Sequence, residues 1–201
     1  MEENIRDNSL SEHWCKFISG DKNALGVLLE LNFNPLYQYG TRFTEDTELI
    51  KDTIQDLFLE IWVKRENASH IISIKAYLFQ SVRNNLIKIG RRKSNIQSIS
   101  HQEEAFSNFS SPELEWISDE TNARNELLLT SGIELLPKRQ REALYLKYYE
   151  DLSHEEIAQI MGLQRQAVAN YIHNGLQKLR EFWRITISIL LAWHFNVEIY
   201  N

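Results

Sequence analysis

The 201-residue chain contains one cysteine, two methionines, three prolines and seven glycines. A single thiol, Cys15, cannot form an internal disulfide. So few chain breakers, together with long 3.6-residue periodicities and few alternating runs, predict an all-α protein. Positive charge is not in excess either. The 22 Lys and Arg stand against 28 Asp and Glu, a net charge of −6, which speaks against indiscriminate coating of nucleic acid. There is no Gly-rich phosphate loop, no nucleophile elbow and no His-Glu-x-x-His run, and the six histidines are scattered. No metal-ligand cluster accompanies Cys15, so the expectation is a non-enzyme without metal or cofactor. The acidic start Met1-Glu2-Glu3 lacks the basic-then-apolar layout of a signal peptide. The apolar stretch Ile185 to Val197 falls short of the roughly 20 residues that span a bilayer. A cytoplasmic location follows as the expectation.

The distribution of charge divides the chain. Arg83, Lys88, Arg91, Arg92 and Lys93 lie in one segment that holds no acid. From Ser94 to Asn125 the balance reverses, with Glu103, Glu104, Glu113, Glu115, Asp119 and Glu120 against Arg124, among many Ser and Asn and with Pro112. Such composition reads as a flexible acidic linker. The expected organisation is a helical domain over 1–94, a linker over 95–125, a second helical domain over 126–184 and an apolar extension over 185–201. The linker is read as a solvated spacer, with a strap across basic surface as the other possibility.

The second domain carries a helix-turn-helix pattern. Ser153 and Glu156 make a capping box that starts a first helix, whose inner face holds Ile157, Ile160 and Met161, with Ala158 small enough for a close crossing. Gly162 supplies the turn. A second helix from Gln164 to about Arg184 is expected to bury Val168, Ile172, Leu176 and Leu179. Its other side presents Arg165, Gln166, Ala169, Asn170, His173, Asn174 and Lys178. That geometry suits a major groove, although any helical hairpin buries one stripe and exposes the other.

Two helices stand out in the first domain. Thr47 to Lys64 buries Ile50, Ile54, Leu57, Phe58 and Ile61, while Asp52, Asp56, Leu59 and Val63 gather on the opposite face, flanked by Gln55 and Trp62. Carboxylates mixed with apolar and aromatic groups suit a protein-docking patch or, alternatively, a second packing surface within the domain. The helix from Ile74 to about Arg92 buries Leu78, Val82, Leu86 and Ile89. It lines up Tyr77, Ser81, Asn84, Lys88 and Arg91 on another face. An aromatic ring, amides and cations without acids suit a phosphate backbone and unstacked bases. The polar loop from Glu66 to Ser73, just before, is placed to cup a flipped base.

These segments resemble a known family. Lys51 to Trp62 (KDTIQDLFLEIW) and Ile74 to Asn85 (IKAYLFQSVRNN) resemble region 2 of bacterial sigma factors of the extracytoplasmic-function group. Leu136 to Leu144 (LPKRQREAL), with the helix pair from Leu152 to Leu179, resembles region 4 of the same group. The resemblance spans about Trp14 to Trp183, and its style is similar to members from Bacteroidetes. It implies a protein that binds core RNA polymerase and promoter DNA. Asp52, Gln55, Asp56, Leu59, Trp62 and Val63 would then meet the polymerase. Asn67 and His70 of the loop, with Tyr77, Ser81, Arg83, Asn84, Lys88, Arg91 and Arg92, would open and read the minus-ten element. The second helix of the pair would read the minus-thirty-five element through Arg165, Gln166, Ala169, Asn170, His173, Asn174 and Lys178. An anti-sigma partner is implied as well, and no small-molecule substrate. The chain departs from many relatives in having Ala169, Asn170, His173 and Asn174 where they carry Arg or Lys in mid-helix, so an Arg-to-guanine contact is missing there. A stand-alone dimeric helix-turn-helix regulator and a helical protein adaptor are the other readings that the residues allow.

Overall fold

The computed structural model describes residues 12–93, Phe106 and 131–199, with side chains described up to residue 92 and, in the second stretch, up to residue 185. Residues 12–18 form α1, followed by α2 (Lys22–Gly40), α3 (Thr47–Val63), a 3-10 turn (Arg65–His70) and α4 (Ile74–Lys93). After a helical turn at 131–134 come α5 (Lys138–Tyr148), α6 (His154–Met161) and α7 (Arg165–Ile199). No strand occurs among the described residues.

Local chemistry explains the element ends. Asp21 caps α2 by accepting from the Asn23 N–H, and Asp46 caps α3 by accepting from the Leu49 N–H. The Ser153–Glu156 capping box forms in both directions at the start of α6. Gly162 closes α6 at φ 64°, a left-handed position that a side chain would strain, so the sharp turn depends on this glycine.

In the first domain α2, α3 and α4 pack pairwise around Leu28, Leu36, Ile50, Ile54, Leu78 and Val82. The expected stripe of α3 is buried throughout, from Ile50 to Ile61. At the α2 terminus Gly40 has no room for a methyl group, since a Cβ there would lie 2.5 Å from Cγ2 of Ile50. α1 closes the domain with Trp14 and Phe17, whose rings lie 5.0 Å apart.

In the second domain α5, α6 and α7 surround Leu144, Leu146, Ile157, Ile160, Val168 and Ile172. One expectation is corrected here. Leu176 is exposed and Gly175 is buried, so the inner stripe of α7 runs Val168, Ile172, Gly175, Leu179. The steps of four, three and four keep that stripe facing α5, and a Cβ on Gly175 would come within 2.9 Å of Leu144 Cδ1. Close crossing selects glycine at this position, and Leu176 turns outward. The expected boundary near 184 is not marked by a break, because α7 continues unbroken to Ile199. At 1.5 Å per residue the continuation adds about 20 Å of helix beyond Ile185.

The two domains touch. α4 lies along α6, and Tyr39 of α2 stacks at 5.9 Å on Tyr145 of α5. Phe106, in the middle of the expected linker, is buried against Phe43, Tyr39 and Tyr145. A solvated spacer does not describe that position, because a phenylalanine ring gains more from the aromatic cage than from water. The rest of 95–125 lies outside the described residues.

Candidate nucleic-acid and protein-docking surfaces

The outward face of α3 is free. Asp52, Gln55, Asp56, Leu59 and Val63 are exposed, with Leu59 at 61% and Val63 at 76%. Among the described residues no helix covers them. Among the described residues no cation pairs with Asp52 or Asp56. Trp62 is different. Its ring is half-buried, tilted 5.9 Å from Phe17 on one side and under the Arg65 guanidinium at 4.7 Å. It therefore offers an edge of the patch rather than its centre.

Three faces divide α4. Leu78, Val82 and Leu86 enter the first-domain core. About 130° away around the axis, Tyr77, Ser81, Asn84, Lys88 and Arg91 line up as expected. Asn84, Lys88 and Arg92 are exposed, and Tyr77, Ser81 and Arg91 are half-buried. The third face, with Ala76, Gln80, Arg83 and Ile87, turns to the second domain. Arg83 thus departs from the expected nucleic-acid set in this state. It is buried, and its Nε and Nη2 donate to the two carboxylate oxygens of Glu142 at 2.6 and 3.2 Å. A guanidinium is planar and forked, and a carboxylate from another element satisfies it better than solvent at a buried site. In the loop before α4, Ala68 is the buried anchor and Asn67 and His70 stand exposed. Ile72 beside them is fully exposed.

On α7 the residues Arg165, Gln166, Asn170, His173, Asn174 and Lys178 are all exposed, with Ala169 half-buried between them. Two local bonds order this face. Arg165 pairs with Glu155 of α6, and Gln166 donates through Nε2 to Oδ1 of Asn170 at 3.3 Å. The two amides are therefore held side by side on the exposed face.

The residues that sequence reasoning missed lie between the domains. Tyr39, Lys75, Glu142, Glu150 and Phe106 join Arg83 there. A signal existed for Glu142. It shares a helical face with Tyr145 and Leu146, both buried, so an acid occupies a core position of α5.

The family model described as "Sigma-70 region 2" matches residues 28–96, and the one described as "Sigma-70, region 4" matches residues 126–179. Together they take in more than half of the chain, in the order of the two domains. The chain belongs to the sigma-70 family. Among similar proteins, the ECF RNA polymerase sigma factor SigM of Bacillus subtilis is 22% identical over 160 residues, covering 80% of this chain and 95% of its own. The ECF RNA polymerase sigma-E factor of Haemophilus influenzae is 26% identical over 171 residues, 80% of this chain and 86% of that one. The fold is similar to CnrH in its complex with the cytosolic domain of CnrY, with a TM-score of 0.58 and 21% identity over 88% of this chain and 98% of that one. It is also similar to the sigma factor RpoE of Bartonella quintana in complex with the anti-sigma factor NepR, at a TM-score of 0.55 and 18% identity over 78% of this chain and 94% of that one. The protein is accordingly an alternative RNA polymerase sigma factor with regions 2 and 4. This family is not a class of enzymes. No helix of the described residues is long and apolar enough to cross a membrane.

Proposed function

We propose that this sigma factor divides its work among the three exposed surfaces. The α3 face of Asp52, Gln55, Asp56, Leu59 and Val63, edged by Trp62, docks on core RNA polymerase. The loop with Asn67 and His70 and the face of Tyr77, Ser81, Asn84, Lys88, Arg91 and Arg92 engage the opened minus-ten element. The outer side of α7 from Arg165 to Lys178 reads the minus-thirty-five element. These roles map onto a region 2 domain ending near 94, a linker over 95–125 and a region 4 domain from 126. The chain acts in the cytoplasm, performs no chemistry of its own, and is held in check by an anti-sigma protein, the class of partner bound to the similar sigma factor RpoE of Bartonella quintana.

The observation that carries the docking role is the exposure of Leu59 and Val63 beside two unpaired carboxylates on a helix whose other side is fully buried. Apolar groups left in water at the centre of a charged rim favour a protein partner. The testing experiment is binding of the full chain to bacterial core RNA polymerase, wild type against Asp56→Arg. Loss of binding with unchanged thermal stability supports the assignment, and undiminished binding overturns it.

A further inference from the structure

The last helix outlasts the domain it belongs to. The region 4 match ends at residue 179, and α7 packs on α5 and α6, with the turn at 131–134 lying against its Leu179 and Phe182, where a Cβ on Gly132 would come within 3.0 Å of the phenyl ring. Past that point the side chains turn to solvent. Trp183 is 39% exposed and Ile185 57%, yet the helix runs on to Ile199. From Ile185 to Val197 the sequence holds no Asp, Glu, Lys or Arg, and nine of these thirteen residues are apolar. Arg184 closes the run on one side and Glu198 on the other.

The order of the apolar residues decides what kind of surrounding they need. At about 100° per residue, Leu190, Leu191, Phe195, Ile185, Ile189 and Trp193 fall at about 0°, 100°, 140°, 220°, 260° and 300° around the helix axis. A groove in a partner protein covers one stripe of a helix, and the opposite side stays polar for water. This segment has no polar side. An apolar circumference calls for a medium that closes round the helix, and lipid is such a medium. Charge points the same way. In the two turns before the run, Lys178, Arg180 and Arg184 are exposed and meet a single acid, Glu181, so a chain of net charge −6 carries a local excess of cations where the apolar run begins. Cations beside an apolar helix suit anionic headgroups, and a tryptophan at that level, here Trp183, suits the interface. Thirteen helical residues measure about 20 Å against a hydrocarbon core of about 30 Å, so the segment enters one leaflet and does not cross.

We propose that Ile185 to Val197 is a lipid-inserting helix that holds the protein on an anionic membrane surface, with Lys178, Arg180 and Arg184 against the headgroups. The inference goes beyond the sigma-factor reading and does not depend on it, because both family models end before the segment.

Flotation of the full chain with vesicles tests this. Wild type should rise with vesicles of phosphatidylglycerol and phosphatidylethanolamine in equal parts. Leu190→Asp with Leu191→Asp should weaken that binding at least about tenfold, because two charges are carried into the apolar run. Arg180→Glu with Arg184→Glu should weaken it to a similar degree, and binding of wild type to phosphatidylcholine alone should be weaker than to the anionic mixture. Circular dichroism checks that the variants keep their helix content, and Ile189→Asp replaces the double leucine variant if that one does not. Sedimentation without lipid separates the other occupant, a second copy of the chain. A wild type that stays behind the vesicles overturns the proposal, and if it also sediments as a dimer that the leucine variant dissolves, the segment is a self-association helix instead. Undiminished flotation of the leucine variant overturns the assignment to this segment. Equal binding to both lipid mixtures overturns the role given to the cations.

Discussion

Glu142→Ala strips two donors of their shared acceptor, and the structure fixes what that should cost. The Arg83 side chain is 7% exposed and would keep its charge without a counterion. Breaking a buried pair from one side costs about 3–5 kcal/mol, most of it the penalty of the stranded ion. In a protein of this size 1 kcal/mol moves the midpoint by about 2–4 °C, so a molecule able to melt only as a whole loses about 6–20 °C. A molecule built of two touching domains has another way out. If the domains part, water reaches Arg83, and the loss is capped at the free energy of opening. The small shift then comes with an expanded chain rather than with lost helix.

The assay is a double-mutant cycle of Arg83→Met, Glu142→Leu and the pair, followed by urea unfolding at the helix signal and by small-angle scattering. Both apolar replacements together leave no stranded charge, so the double variant should recover much of what each single one loses. Additive losses would mean that the two groups do not interact. Single losses below about 0.5 kcal/mol without expansion would mean that Glu142 is a surface residue, and the reasoning fails.

Asp56→Arg should weaken core-polymerase binding at least about tenfold, about 1.4 kcal/mol, while thermal stability stays within about 0.5 kcal/mol because the side chain is exposed; a co-elution assay with a melting curve decides it. Asn170→Ala should cost about 1–3 kcal/mol of preference at an adenine in the upstream element, read by promoter selection, and unchanged preference at every upstream position would remove Asn170 as a reader. Burial pushes the Glu156 carboxyl up, but the hydrogen bonds from Ser73 and Ser153, with the Lys75 charge, together outweigh it and hold the group below its ordinary value of 4.5. A lowered folded value means stability that is present above pH 4.5 and lost as pH falls through the folded value. The gap between wild type and Glu156→Ala should be about 1 kcal/mol at neutral pH and narrow in acid, so a gap independent of pH would refute the charge-assisted cap.

What could be read in the sequence was whatever a single helix decides for itself. The α3 stripe from Ile50 to Ile61, the Ser153–Glu156 box and the Gly162 turn depend on spacing and on backbone chemistry within about ten residues, and each forms as the spacing predicts. Leu176 marks the first limit. Whether residue 175 or 176 faces inward turns on how closely α5 can approach, and only a glycine lets Leu144 come so near. Arg83 marks the second. Its neighbours Lys88, Arg91 and Arg92 made it look like one more cation for a phosphate, and a helical wheel alone does not say that its face meets a carboxylate 59 residues away. The hint lay in two faults of pattern taken together, an acid on the apolar side of α5 and an arginine out of line with the Tyr77 face of α4. Either one alone reads as noise on an amphipathic helix. Opposite charges that both break their own stripes are a different matter, because burial of each is tolerable only if it meets the other, and the pairing of such faults is a signal of tertiary contact.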